Sequence, residues 1–317
     1  MNLSSSVGGA GISAIVVSYF TGPVLARCLD ALRAQEGVRE IILVDNGNPD
    51  GAVAAAVCAN VDGPAVRTIS GHGNVGFAAA CNIGARAASG DFLLFVNPDA
   101  IVPPGGAAKL VADGLRQPSP WLIGAKITDP DGAEQRGSRR ATLTPWRAFV
   151  EATQIYRFAP KHPYFRRFNL HGDPCPAEVT PVPVISGACF VTPRQEYWSI
   201  GGMDEQYFLH VEDVDFCLRF ADAGGTVYFD PAVSIIHFKS SSAVDPILVD
   251  MRKTASMLRY FRAHFDEPYP AVFLWLVGLL LWAQFGMKSG VTLLTRFMTP
   301  RRAIFGPAAL QPRPIRR

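Results

Sequence analysis

Along the first 130 residues, short apolar runs alternate with segments whose apolar residues recur every three or four positions. Residues 12–19 form a β-branched run (Ile12, Ile15, Val16, Val17) suited to a strand buried on both faces. In residues 23–35, Val24, Leu25, Cys28, Leu29 and Leu32 keep helical spacing behind Pro23, a residue at home at a helix start. The alternation continues with strands at 38–44, 66–70, 91–96 and 121–128 and helices at 49–59, 76–89 and 105–115. Such a pattern predicts a doubly wound, mostly parallel α/β sheet, and ligands of these sheets bind at the C-terminal edge of the strands.

Two of those edges are acidic, Asp45-Asn46-Gly47 and Asn97-Pro98-Asp99. Pro98 has no N–H for a sheet ladder, so the strand before it stops and leaves Asn97 and Asp99 facing the crevice. A carboxylate there can hold a hard cation; the same tripeptide is also an ordinary turn. From 135 to 183 the pattern fades into prolines, aromatics and a basic cluster of Arg136, Arg139 and Arg140. It returns as a strand at 184–192 carrying Ser186-Gly187-Ala188, a short helix near 195–200, a helix at 211–222 and a strand at 234–238 bearing His237. Glu212-Asp213-Val214-Asp215 opens the 211–222 helix, on whose surface Asp215 and Arg219 are spaced to pair. Asp213 lies in the first turn, where the helix dipole keeps a carboxylate ionised: a candidate proton acceptor, or simply an acidic helix start.

Residues 245–265 read as a helix of mixed polarity. Residues 271–287 are apolar except for Gln284 and include Trp275 and Trp282. This is near the length of about twenty residues that crosses a bilayer. With a basic tail (Arg296, Arg301, Arg302, Arg313, Arg316, Arg317), the segment suits a helix lying in the cytoplasmic leaflet. The competing reading is a helix pair that caps the domain or forms a homodimer interface.

Composition narrows the function. Thirty basic against 27 acidic residues leave a net charge of +3, too balanced for a nucleic-acid-binding chain. Six cysteines without a CxxC pair read as reduced residues of a cytosolic protein. Residues 1–11 lack the basic start and apolar stretch of a signal peptide and are expected to be disordered. Gly71-His72-Gly73-Asn74-Val75-Gly76 matches the G-x-G-x-x-G fingerprint of NAD(P)-dependent oxidoreductases. It follows the third strand, however, whereas the fingerprint belongs after the first, where Ser18-Tyr19-Phe20-Thr21-Gly22 lacks it.

One ordered series of motifs goes further: Val16-Val17-Ser18-Tyr19, Leu43-Val44-Asp45-Asn46-Gly47, Asn74-Val75-Gly76-Phe77 with Asn82, Asn97-Pro98-Asp99-Ala100, Ser186-Gly187-Ala188, Gly201-Gly202-Met203-Asp204-Glu205 with Tyr207-Phe208, Glu212-Asp213-Val214-Asp215, and His237. Over residues 12–242 this series resembles the family 2 glycosyltransferases of GT-A fold, most closely a bacterial rhamnosyltransferase-like branch. The resemblance implies a nucleotide-sugar half at about 12–130 and an acceptor half at about 131–242, followed by a helical, membrane-proximal extension at 243–317. It implies that Ser18, Tyr19, Asp45, Asn74, Gly76, Phe77, Asn82 and Asn97 bind a nucleotide diphosphate sugar, dTDP-rhamnose or a UDP-sugar. Asp99 and His237 would hold Mg²⁺ or Mn²⁺; Asn97 replaces the first aspartate that many relatives have there. Ser186, Gly187 and Glu212 fall on the acceptor side, and Asp213 becomes the base of an inverting transfer to a polyprenyl-diphosphate-linked or glycan acceptor. The protein would work in the cytoplasm, on the inner face of the membrane, in envelope glycan synthesis. A non-catalytic sugar-nucleotide-binding protein would carry the same motifs.

Overall fold

The computed structural model describes residues 11–58, 63–159, 162–239, 244–267 and 269–298. The expected disorder of the N-terminus before Gly11 and the tail arginines beyond Arg296 lie outside these residues. The first half runs β1 (Ile12–Ser18), α1 (Val24–Arg33), β2 (Val38–Asp45), α2 (Ala52–Val57), β3 (Val66–Ile69), α3 (Phe77–Ala87), β4 (Phe92–Val96), β5 (Ala100–Ile101), α4 (Gly106–Gly114) and β6 (Trp121–Thr128). The second half runs β7 (Arg139–Arg140), α5 (Pro145–Thr153), β8 (Thr180–Pro181), β9 (Val184–Ile185), β10 (Cys189–Pro193), α6 (Arg194–Ser199), α7 (Glu212–Asp222), β11 (Thr226–His237), α8 (Pro246–His264) and α9 (Ala271–Met298).

The main sheet has the order β3-β2-β1-β4-β10-β6-β11-β5, with β8 added against β11. Strands β1 to β4 are parallel, as are β6 and β11, whereas β10 runs antiparallel between β4 and β6. Successive side chains of a strand point to opposite faces, so each apolar strand feeds two cores. Ile15, Val17, Ile42, Val44, Leu93 and Phe95 pack with α3 and α7. Ala14, Val16, Ile41, Leu43, Leu94 and Val96 pack with α1 and α4. The small residues of α3 let it lie close to the sheet: a Cβ on Gly84 would sit 2.6 Å from Ile15 Cγ2.

The sequence predicts one strand over 184–192, but the structure breaks it into β9 and β10, which belong to different sheets. The amides of Ser186-Gly187-Ala188 bond outside any ladder, to Ser138 O, to the Asp213 carboxylate and to Ser186 Oγ. The Asp215–Arg219 pair is also not on the surface. Asp215 is 2% exposed, taking Arg219 Nε at 2.7 Å and His264 Nε2 at 2.7 Å, while Arg219 also caps Ile200 O and Gly202 O. All six cysteines are free, and Cys28, Cys81, Cys189 and Cys217 are buried.

The apolar helix α9 continues to Met298, about 42 Å at 1.5 Å per residue. Over Ala271–Arg296 it is long and apolar enough to cross a membrane. Its length is nevertheless fastened to the domain. Val277 and Leu281 are buried in the core with α8 residues Tyr260 and Phe261, and Gln284 donates to Ala152 O of α5 at 2.8 Å. Val272, Trp275, Leu279, Met287, Val291 and Leu294 form an exposed apolar face.

Candidate active site

The carboxyl ends of β1, β2 and β4 and the end of β11 converge on one edge of the sheet. At the β1–β2 end, Asp45 Oδ1 accepts from Gly47 N, Asn48 N and Asn48 Nδ2, so its own turn holds the carboxylate in place. Asn48 also bonds Ser18 O and Phe20 N, locking the β1 turn to the β2 turn. The motif reading did not single out Asn48, although its place two residues beyond Asn46 in a turn was a usable signal. Tyr19 stacks edge-on against Phe20 at 4.7 Å on the rim. Ser18 is fully buried, with its hydroxyl among Thr21 Oγ1 and Asn48 Oδ1. Ser18 therefore shapes the turn and does not face a ligand, a correction to its expected role.

Asn82 is corrected in the same way. It is 1% exposed; its Nδ2 donates to Met203 O and Glu205 Oε1, and its Oδ1 accepts from Tyr197 OH and Met203 N. With no polar atom left for a nucleotide, Asn82 braces α3 against the 197–205 segment. Asn74 Oδ1 accepts from Asn46 Nδ2 and Gly76 N, which fixes the glycine-rich loop beside Asp45. Gly76 has φ +88°, a conformation that favours glycine, and a Cβ there would lie 2.6 Å from Phe208 O. Phe77 N, the first amide of α3, already donates to that carbonyl at 2.8 Å. The helix terminus a dinucleotide fingerprint needs for pyrophosphate is thus covered by backbone, which removes the oxidoreductase reading.

At the β4 end, His237 brings together two segments the sequence could not join. Its Nε2 lies 3.1 Å from Asp99 Oδ1 and 3.3 Å from Asn97 Nδ2. Gln135 orients the ring. Its amide nitrogen faces Thr128 O, Asp129 Oδ1 and His237 O, so its Oε1, 3.0 Å from His237 Nδ1, must accept the imidazole N–H. His237 Nε2 is thereby turned toward the Asp99 carboxylate, and the two together present a nitrogen and an oxygen that can share one cation. A separation of 3.1 Å suits neighbouring corners of an octahedron with bonds of about 2.1 Å. Among the described residues no third acid, histidine or cysteine joins the pair. These residues fit a hard divalent ion.

Asp213 is joined to this edge through one strand end. Asn97 N donates to Ala188 O, and Gly187 N donates to Asp213 Oδ2 at 2.9 Å. Arg140 Nη2 meets the same oxygen at 2.5 Å and also bonds Ile185 O, while Asp213 Oδ1 accepts Val214 N. Burial alone would raise the Asp213 carboxyl, but the Arg140 charge and these hydrogen bonds outweigh it and hold it below the usual carboxylate range. An ionised Asp213 agrees with its place in the first turn of α7. The Arg140 partner comes from the illegible 135–183 stretch, where the basic cluster was its only signal. Ser186 turns its hydroxyl inward to Ala188 N.

Glu212, the next residue, is buried, and its Oε2 has no partner. Burial first and the Asp213 charge second push its carboxyl up to about 8, so the pair holds one proton at neutral pH. The unfolded chain releases that proton at the ordinary glutamate pH of about 4.3. Between those values the folded chain binds more protons, and stability falls as pH rises. Urea unfolding should therefore lose about 1.4 kcal/mol per unit between roughly pH 5 and 8, and Glu212→Gln should flatten that slope. An unchanged slope in the variant would show that Glu212 is not the group responsible.

Fold and site together define a GT-A glycosyltransferase, an α/β sheet whose edge carries the Asp99–His237 pair. The Glycosyl transferase family 2 profile matches residues 13–170. Over 253 residues the chain is 32% identical to the N-acetylglucosaminyl-diphospho-decaprenol L-rhamnosyltransferase of Mycobacterium tuberculosis, covering 72% of this chain and 76% of that protein. It is 26% identical to rhamnosyltransferase WbbL of Escherichia coli K12, covering 71% and 82%. The mannosyltransferase PcManGT of Pyrobaculum calidifontis, solved with GDP-Man and Mn²⁺, superposes with a TM-score of 0.53 at 16% identity, covering 86% of this chain and 68% of that one. The protein belongs to glycosyltransferase family 2.

Proposed function

We propose that the protein transfers L-rhamnose from dTDP-rhamnose, with inversion, to a hydroxyl of a polyprenyl-diphosphate-linked sugar in envelope glycan synthesis. The observation that carries this reading is the join at the end of β4, where Asn97 N donates to Ala188 O and Gly187 N to Asp213. It sets Asp99, read here as the metal ligand, and Asp213, read as the acceptor-side acid, on either side of one strand end. The choice of sugar and acceptor draws on the mycobacterial relative, whose name states both a rhamnosyl group and a diphospho-decaprenol carrier.

In this reading Asp45 and the Asn74–Gly76 loop receive the nucleoside. Asp99 and His237 hold Mg²⁺ or Mn²⁺, which when bound offsets the charge of the diphosphate. Asp213 accepts the proton of the attacking hydroxyl. The Arg140 pairing makes Asp213 a weak base until that contact loosens, so the acceptor hydroxyl must replace Arg140 or share its oxygen. A single displacement needs no second carboxylate, in keeping with a protonated Glu212. Because α9 is fastened along the domain, its apolar face suits lying in the membrane interface better than crossing it.

A donor panel of dTDP-rhamnose, UDP-hexoses and GDP-mannose, read by mass spectrometry against membrane extracts, tests this. A deoxyhexose added only from dTDP-rhamnose is expected. Product formed only from UDP-hexoses would overturn the sugar. Nucleotide binding without any product would favour a non-catalytic binder.

A further inference from the structure

Beside Asp213 lies a group of basic side chains that its role as base leaves without a task. The loop delivering Asp213 passes through His210 and Val211, both at positive φ, and is tied to α8 by Ser256 Oγ donating to Leu209 O at 3.1 Å. Arg252 of α8 stacks over Phe208 at 3.6 Å. Lys253 sits one turn before Ser256, which places it beside His210. Both Lys253 and His210 are exposed, and they lie close enough that the Lys253 charge helps hold the His210 imidazole below its usual range. Burial, then Lys288 and Arg136, hold the Lys253 ammonium below the usual lysine range; Asp250 opposes them and Arg140 adds to them.

Lys288 comes from α9. Val277, Leu281 and Gln284 form the stripe of that helix that faces the domain, and Lys288 continues it four residues on, past the Gln284 bond to the end of α5. Two other nearby cations are occupied: Arg136 pairs with Glu151 at 2.9 Å and Arg140 with Asp213. Among the described residues neither Lys253 nor Lys288 has an ion-pair partner. Directly beside Lys288, Met287 and Val291 are 65% and 61% exposed on the outer apolar face. A basic cluster near Asp213 thus adjoins an apolar helix face at Met287 and Val291, which is the layout of an anionic head on an apolar tail.

We propose that Lys253 and Lys288 form the binding site for the diphosphate of a lipid-anchored acceptor, whose isoprenoid chain leaves along the outer face of α9. This rests on the proposed acceptor class and adds where its diphosphate is held. The position next to Asp213 favours the acceptor's own diphosphate over that of a bulk phospholipid.

Farnesyl diphosphate is the probe, titrated by calorimetry into full-length protein whose donor site is saturated with dTDP and Mn²⁺. Saturable binding is expected, weakened about tenfold or more in the Lys253→Gln/Lys288→Gln double variant, because charge-assisted bonds are lost. Farnesol should not compete, nor should phosphatidylglycerol vesicles. In transfer assays the double variant should raise KM for a polyprenyl-diphosphate acceptor by a similar factor. KM for the donor, and turnover on an octyl glycoside acceptor without diphosphate, should stay unchanged. Equal farnesyl diphosphate binding by both proteins, or its displacement by the vesicles, would overturn the site. If the variant loses farnesyl diphosphate but the wild type glycosylates no polyprenyl-diphosphate sugar, the site stands and the acceptor assignment falls. If transfer to that acceptor is normal in the variant, the acceptor stands and the site falls.

Discussion

Asp213→Asn is expected to lower single-turnover transfer by about 10²–10⁴, the usual cost of losing a general base, while nucleotide affinity stays within about twofold of wild type. The exchange keeps the shape of the side chain but removes its proton affinity. It also places an amide where Arg140 Nη2 and Gly187 N both donate to one oxygen, so one rotamer sets N–H groups against N–H groups. None of the contacts of Asp213 reaches Asp45, Asn74 or Asp99, which is why donor binding should survive. Rapid-quench transfer and equilibrium binding of dTDP over a Mn²⁺ series separate the two effects. Loss of dTDP binding in Asp213→Asn, or transfer at the wild-type rate, would remove Asp213 from the role of base.

Asp99→Asn should fail in a different way. It takes the only carboxylate from the Asp99–His237 pair, so Mn²⁺-dependent dTDP binding should fall by at least roughly 10–100-fold, the range seen when even the groups supporting a metal ligand are lost. Turnover should fall with it, and raising Mn²⁺ should recover part of both, since the imidazole, oriented by Gln135, is still present. Insensitivity of the defect to metal, or near-normal turnover at low Mn²⁺, would mean that Asp99 does not hold the ion.

Much of the architecture was legible because it depends on local pattern. The runs at 12–19, 38–44, 91–96 and 121–128 are apolar on both faces, and helical spacing separates them, so the strands could be assigned within a residue or two and the helices within three. The 184–192 run misled because its amides at Ser186 and Gly187 are claimed by partners distant in the chain, Ser138 and Asp213. Periodicity cannot register such partners. The same limit hid Arg140, Gln135 and Asn48, each of which acts by holding another residue. Ser18 and Asn82 stand at motif positions, but their polar atoms are used up inside the fold.

The sequence by itself determined the alternation of elements, the two acidic strand ends at Asp45 and Asp99, the acidic start of α7 and the apolar character of α9, because each follows from the order of neighbouring residues. Only the tertiary structure decided that His237 meets Asp99, that Phe208 O closes the α3 terminus to a dinucleotide, that Arg140 lowers the basicity of Asp213, and that the charges of Lys253 and Lys288 lie close together. Those contacts join residues far apart in the chain, and their energies depend on distance and burial, which exist only once the sheet has formed.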